Sequence, residues 1–317
     1  MTRAVHCWIG TILFAAGCLS ACDRQRTAEP QALSVFNAAA LGPPFRDLIA
    51  AFAAQNPGLV HDQLNAPSLE AVRMMTELGR VPDVLAVADR ALLDSLVLPK
   101  YATWYVAFGT NALVLAYGPK ARFRDEITTE NWWQVLLRPG VETGRSDMRV
   151  DPSGYRADMA MQLAERHYGV PGLTAKLRAA IPERNVRRAE ADLSAHLELG
   201  ELDYGWTYES LARAHGLAYV KLPAAVDLSD PALASTYASA HVELPEPGGR
   251  APIVLRGAPI VFAVTVPTQA PHGDVARRFV TFLLSAEGRE ILGRSGFSAL
   301  ATPDVVGTLP SDVIVRR

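Results

Sequence analysis

An α/β fold in two lobes is predicted by three observations. Strand-like and helix-like segments alternate along most of the chain, the order that builds parallel sheets with helices on their faces. The 317 residues leave room for two lobes or one large divided domain. Composition is ordinary for a globular protein, with 49% hydrophobic residues, 20% charged residues and a formal net charge of −2. With no basic excess to neutralise phosphates, nucleic-acid binding is not expected. Any bound anion must be held by local donors and not by a broad positive field.

The first element is a leader. Met1 to Ala21 carries Arg3, the apolar run "CWIGTILFAAGCLSA" and no acidic residue. The run is too short for a comfortable membrane span and fits the apolar core of an export signal. It ends in "LSAC", Leu19 to Cys22, with the polar "DRQRTAEPQ" directly after it. A small-residue pair before a cysteine resembles the bacterial lipoprotein box. That resemblance implies a lipid on Cys22, which becomes the mature N-terminus; the other reading is a plain signal with a chance cysteine. All three cysteines, Cys7, Cys18 and Cys22, lie in this stretch. The body therefore offers no disulfide framework, thiol catalyst or thiolate metal site. Loss of Arg3 with the leader takes the net charge from −2 to −3. Residues 22–32 read as a tether.

The body follows in order. "ALSVFNAAA" is a buried strand running into a loop. "PPFRDLIAAFAAQNPG" sets Phe45, Leu48, Ile49 and Phe52 at helical spacing and ends in Asn-Pro-Gly. "SLEAVRMMTELG" is a second helix and "PDVLAVA" a second buried strand. "NALVLAYG" is a further strand, with "ITTENWWQVLLRPG" a helix after it. The helix opened by "DPSGYR" comes next, then one charged helix through "ERNVRRAEADLSAHLELG". "DYGWTY", "GLAYVKLP" and "PIVFAVTVP" read as strands, and "DVARRFVTFLLSAEGREIL" as one long amphipathic helix.

Enzyme signatures are lacking: there is no G-x-S-x-G elbow, P-loop, G-x-G-x-x-G or H-E-x-x-H. The seven histidines are scattered without metal-ligand spacing. The chain reads as a non-enzyme that calls for no cofactor. Turns leading into helices remain, at Ala38 to Pro44, at "NAPSLEAV" and at "DPSGYR". In open α/β sheets ligands lie beyond the carboxyl ends of strands, where helix N-termini point into a crevice. At the third turn Asp151 reads as an N-cap and Pro152 as the first helical residue. Such a start holds an anion or is simply a capped helix.

Longer stretches carry a resemblance. "YATWYVAFGTNALVLAY", "NWWQVLLRPGV", "DPSGYRADMAMQLAERHY", "VDLSDPALASTYA", "PIVFAVTVP" and "FLLSAEGREIL" resemble, in order and spacing, the tungstate/molybdate-binding family of ABC-transporter substrate-binding proteins described from archaea. The resemblance runs from about Leu33 to Leu300. It implies a type II periplasmic-binding fold, with lobe I at 33–109 plus 256–317 and lobe II at 110–255. It also implies a tetraoxoanion between the lobes, an ABC permease and ATPase as partners, a monomer, and a place outside the cytoplasm, in the periplasm or at the cell surface.

The family places serines at two helix starts and two carboxylates on the metal centre. A high-valent metal is a Lewis acid that accepts further hard oxygen ligands, whereas sulfate and phosphate do not expand in this way. Asp151 falls on the first carboxylate, as ligand of bound molybdate or tungstate, with the Ser153, Gly154 and Tyr155 amides as donors. The family's "AGSL" is Ala39-Ala40-Leu41 here, so Ala40 stands where a serine is expected. Its "AGSV" is Ala66-Pro67-Ser68-Leu69, which keeps the Ser68 hydroxyl while Pro67 removes a donor. The second carboxylate aligns with Thr207, so that charge is lost. Asn37, Arg145 and Glu209 are further candidates; Arg145 and Arg149 read better as solvated, and Glu209 as pointing elsewhere. These departures leave two alternatives open, another small anion (sulfate, phosphate or an organic acid) in the same fold, or a sensor or interaction lipoprotein with a degenerate cleft.

Overall fold

The computed structural model describes residues 31–245 and 251–315, together with the isolated Thr2. The leader, Cys22 and nearly all of the tether lie outside the described residues. Four strands begin the first lobe: β1 (Ala32–Ala38), β2 (Val60–Ala66), β3 (Val84–Val87) and β4 (Trp104–Thr110). The chain then crosses at Asn111 and Ala112 into β5 (Leu113–Tyr117), β6 (Thr143–Ser146), β7 (Val186–Arg187), β8 (Tyr204–Tyr208) and β9 (Ala218–Lys221). A small antiparallel pair, β10 (His241–Leu244) and β11 (Ile253–Arg256), leads back to β12 (Val261–Thr265) and β13 (Ser298–Gly307).

Two mixed sheets result. One has the order β13-β4-β12-β3-β1-β2 and the other β7-β6-β8-β5-β9. The parallel pairs are β1 with β2 and β3, and β6 with β7 and β8. Antiparallel partners enter where the chain passes between lobes: β12 returns against β3 and β4, and β5 runs against β8 and β9. Two connections pin the crossing. Leu113 N–H donates to Asp227 O (2.9 Å) and Ile260 N–H to Leu228 O (2.8 Å). Asn111 is buried there, its Nδ2 donating to Ser210 Oγ at 2.6 Å.

Each lobe has an aromatic centre. Phe45 and Phe52 meet Phe279 edge-on in the first lobe, on the apolar faces of helices Gly42–Gln55 and Gly273–Leu283. In the second, Trp132 stacks at right angles on Trp206 (5.4 Å) and its Nε1–H donates to the Tyr168 hydroxyl. Burying such rings contributes about 1.5–3 kcal/mol each.

Several sequence readings need correction. Strand β2 was not expected, because an edge strand reading "VHDQLNA", exposed over its first three residues, shows no apolar alternation. The "NWWQVLL" helix is confined to Trp132–Leu136. The long amphipathic helix is two, Gly273–Leu283 and Ala286–Arg294, because Ser285 caps the second by accepting from Gly288 N–H. The single charged helix is likewise broken. Its first part is a 3-10 turn, Glu183–Asn185, and strand β7; the helix starts only at Glu190 and ends at Leu199 before Gly200 in the left-handed region. That break places Glu190 at a helix N-terminus.

Candidate functional site

The site is built where three helix starts and the end of β8 meet. Strand β6 leads through a short loop to Asp151, which caps the helix Pro152–Tyr168. Asp151 Oδ1 accepts from Ser153 N–H (2.9 Å) and Ser153 Oγ–H (3.0 Å), and Ser153 Oγ lies 2.5 Å from Ser146 Oγ. Gly154 N–H goes to Asp151 O at 3.1 Å. Asp151 itself therefore takes up the Ser153 and Gly154 amides, which were expected to serve an oxyanion directly. Gly154 is required for another reason: a Cβ there would lie 2.4 Å from Ser146 O and 2.7 Å from Met148 N. Gly154→Ala is expected to cost about 1–3 kcal/mol from this overpacking, read as a lowered unfolding midpoint.

A second carboxylate stands beside the first. Glu190, 1% exposed, begins the helix Glu190–Leu199. Its Oε1 accepts from the Thr207 hydroxyl and from Tyr208 N–H (2.6 Å), at the end of β8. Its backbone N–H favours the ionised form of the Asp151 carboxylate. Burial pushes Asp151 up to about 6. Burial, then the Asp151 charge, pushes Glu190 up to about 8. The two titrate as a pair, and at neutral pH the pair keeps a proton.

The first lobe closes over these groups. Ser68, buried at the start of helix Ser68–Thr76, accepts Ala88 N–H at 3.0 Å and keeps its own hydrogen to donate. Leu69 N–H donates across the lobes to Val150 O (3.2 Å), and Arg188 pairs with Glu70 at 2.7 Å. The turn Ala39–Leu41, with Ala40 buried, packs on the Glu190 helix.

A buried latch completes the contact. Arg156, 3% exposed, lies 3.2 Å from Asp89 and donates to Ala88 O and the Tyr208 hydroxyl, each at 2.7 Å. Tyr155 O–H donates to Asp89 at 2.6 Å. Burial disfavours the Arg156 charge, but Asp89 and the two tyrosines outweigh it and the guanidinium stays protonated. Its charge also favours the ionised forms of Asp151 and Glu190. Asp89 belongs to the first lobe and Arg156 to the second, so separation of the lobes breaks the pair. Asp89→Asn is expected to weaken every ligand by tenfold or more without changing the ratio between ligands, read by calorimetric titration. Unpairing a buried charge costs about 3–5 kcal/mol, and that cost falls on the closed form.

The structure thus brings together Ala40, Ser68, Asp151, Ser153, Gly154, Tyr155 and Thr207. Three candidates are not brought in. Asn37 is buried in a network with Ala38 O, Asn65 and Gln63 at the end of β1. Arg145 lines a separate depression with Asp158, Arg178 and His241. Glu209 accepts from Arg213 and Tyr219 in a cavity of about 470 Å³ beside the lobe crossing. Arg149 is solvated and paired with Asp147. Sequence reasoning missed Glu190, Arg156 and Asp89. Glu190 was hidden inside a helix read as continuous, and Arg156 and Asp89 are paired only by the fold.

Comparison with known proteins fixes the class. The profile of the bacterial extracellular solute-binding protein family matches residues 33–298. The chain belongs to that family. It is a binding protein and not an enzyme. A solute-binding protein of Petrotoga mobilis is 40% identical over 86% of this chain and 85% of its own. The molybdate/tungstate-binding protein WtpA of Thermococcus kodakarensis is 33% identical over 95% of this chain and 92% of its own. Among solved structures, the periplasmic molybdate-binding protein of Azotobacter vinelandii matches with a TM-score of 0.59 at 16% identity, covering 84% of this chain and 98% of that one. The sulfate-binding protein SubI of Mycobacterium tuberculosis matches with a TM-score of 0.61 at 16% identity, over 86% and 88%. Both structural matches bear out the two-lobed periplasmic-binding fold.

Proposed function

We propose that this solute-binding protein takes tungstate or molybdate between its lobes and presents it to an ABC permease and ATPase. The observation that carries the reading is the buried Asp151 carboxylate at a helix start, next to Val150, whose carbonyl accepts Leu69 N–H across the lobes. A bare carboxylate repels a sulfate-like dianion. It suits a metal oxyanion, whose metal centre adds a hard oxygen ligand. The molybdate/tungstate-binding relatives, alike over nearly the whole chain, support the same choice. Closure follows from contacts made only when the lobes meet, and the closed form is the one a permease recognises.

Calorimetric titration of residues 31–317 tests the ligand. Tungstate and molybdate are expected to bind far more tightly than sulfate or phosphate. Heat with sulfate and none with either metal oxyanion overturns the reading. The "LSAC" run supports a lipid on Cys22 that tethers a monomer to the membrane. Cys22→Ser is then expected to abolish lipid labelling and release the protein from membranes, as fractionation shows.

A further inference from the structure

We infer that Arg145 and the groove it opens on the second lobe form a docking surface for an acidic side chain of the permease. The inference rests on the importer reading and goes beyond it by naming the surface and the chemistry that meets it. Arg145 is half-buried on β6 and donates from Nη1 to Ser146 O at 2.9 Å. Among the described residues it forms no ion pair, because the acids around it are taken. Asp158 pairs with Arg178 at 2.6 Å, and Asp147 with Arg149 at 2.7 Å, which also lies 3.8 Å from Glu183. Burial pushes the Arg145 guanidinium below its ordinary range, and the Asp158, Asp147 and Glu183 charges do not restore it. A half-buried charge without a partner costs the fold stability, so packing does not explain this arginine. Such a cost is expected where function needs the charge.

The depression beside Arg145, about 420 Å³, is lined by Met148, Arg178, His241 and Val242 among others. Arg178 and His241 also border a second depression of about 400 Å³ that reaches Arg166, so the two make one groove. Arg178 uses Nε and Nη2 on Asp158, and its Nη1 has no partner among the described residues. Arg145 and Arg178 thus present unused donors to one depression, as a single carboxylate requires. Three arginines (145, 166, 178) and three acids (Asp158, Glu165, Glu243) line the groove, so the attraction is local and not a broad positive field. A free anion in so open a groove keeps most of its water and gains little from an exposed guanidinium. A carboxylate carried on a docking protein arrives with surface that covers the groove, and the pair then forms out of water. The groove is also tied to the ligand site. Ser146, whose carbonyl Arg145 holds, has its Oγ 2.5 Å from Ser153 Oγ, which donates to Asp151.

Wild type, Arg145→Gln and Arg145→Lys, each loaded with tungstate, test this on the permease and ATPase of the same importer in proteoliposomes. Arg145→Gln is expected to need about tenfold more protein to stimulate ATP hydrolysis. Its tungstate affinity by calorimetry is expected to be unchanged, and its unfolding midpoint no lower than that of wild type. Arg145→Lys is expected to recover part of the loss. A carbodiimide is expected to join its new amine to an Asp or Glu of the permease, read by mass spectrometry of the linked peptides. Arg145→Gln that stimulates like wild type, or no permease peptide linked at position 145, overturns the inference and leaves the importer reading intact. Failure of Arg145→Gln to fold, or a fall in tungstate affinity that matches the lost stimulation, marks a structural arginine and overturns it as well. Inorganic phosphate that binds wild type but not Arg145→Gln, with stimulation unchanged, assigns the groove to a free anion instead. Loaded wild type that does not stimulate hydrolysis overturns the importer reading, and this inference with it.

Discussion

Asp151→Ala is expected to lower tungstate and molybdate affinity by about ten- to a hundredfold while leaving sulfate unchanged or tighter. An interaction of a charged group in a dry site contributes about 1.5–3 kcal/mol, and each 1.4 kcal/mol is tenfold in affinity. The opposite response of sulfate follows from sign: the variant removes a negative charge that repels a dianion and that no sulfur centre can use. The same change removes the cap of helix Pro152–Tyr168, about 0.5–2 kcal/mol, and strands the Ser153 amide. It also relieves Glu190 of a like charge, which offsets part of that cost. Calorimetry on both anions separates the effects, since a purely structural role of Asp151 weakens them equally.

The ligand-free protein is expected to lose stability as pH rises from about 4 to about 8. A carboxyl whose pKa is raised by folding holds its proton over a range in which the unfolded chain has released it. Asp151 and Asp227, each at about 6, and Glu190, at about 8, therefore give the folded form the larger number of bound protons across this window. Stability then falls with rising pH, the reverse of a salt-bridged carboxylate. Glu190→Gln removes the largest single part of the slope and is expected to melt above wild type at pH 8.5, by about 2–4 °C for each kcal/mol recovered. Thermal unfolding across the pH series reads this directly; a wild-type profile that rises from pH 4 to 8 contradicts the buried pair.

The lobes were legible because buried strands such as β3 and β5 are continuous apolar runs and the flanking helices carry clear apolar faces. Strand β2 was not, since a polar edge strand takes its conformation from pairing with β1 and not from its own pattern. Helix breaks at Ser285 and Glu190 were lost for a related reason: a cap is a local hydrogen bond that periodicity does not register. Within the site, Asp151 showed itself through its Pro152 neighbour and its place in a family pattern. Glu190, thirty-nine residues further on, meets it only through the fold, and Asp89 and Arg156 meet only when the lobes close. Ser68 was legible as a retained hydroxyl, but its bond to Ala88 depends on β3 lying beside its helix.

X-ray absorption at the tungsten edge of the wild-type complex shows whether a carboxylate ligates the metal. Tungstate held by hydrogen bonds alone keeps the tetrahedral shell of the free anion. Tungstate ligated by the Asp151 carboxylate gains a longer oxygen neighbour beyond that shell. The expanded shell is the expected result; a spectrum identical to that of free tungstate contradicts carboxylate ligation.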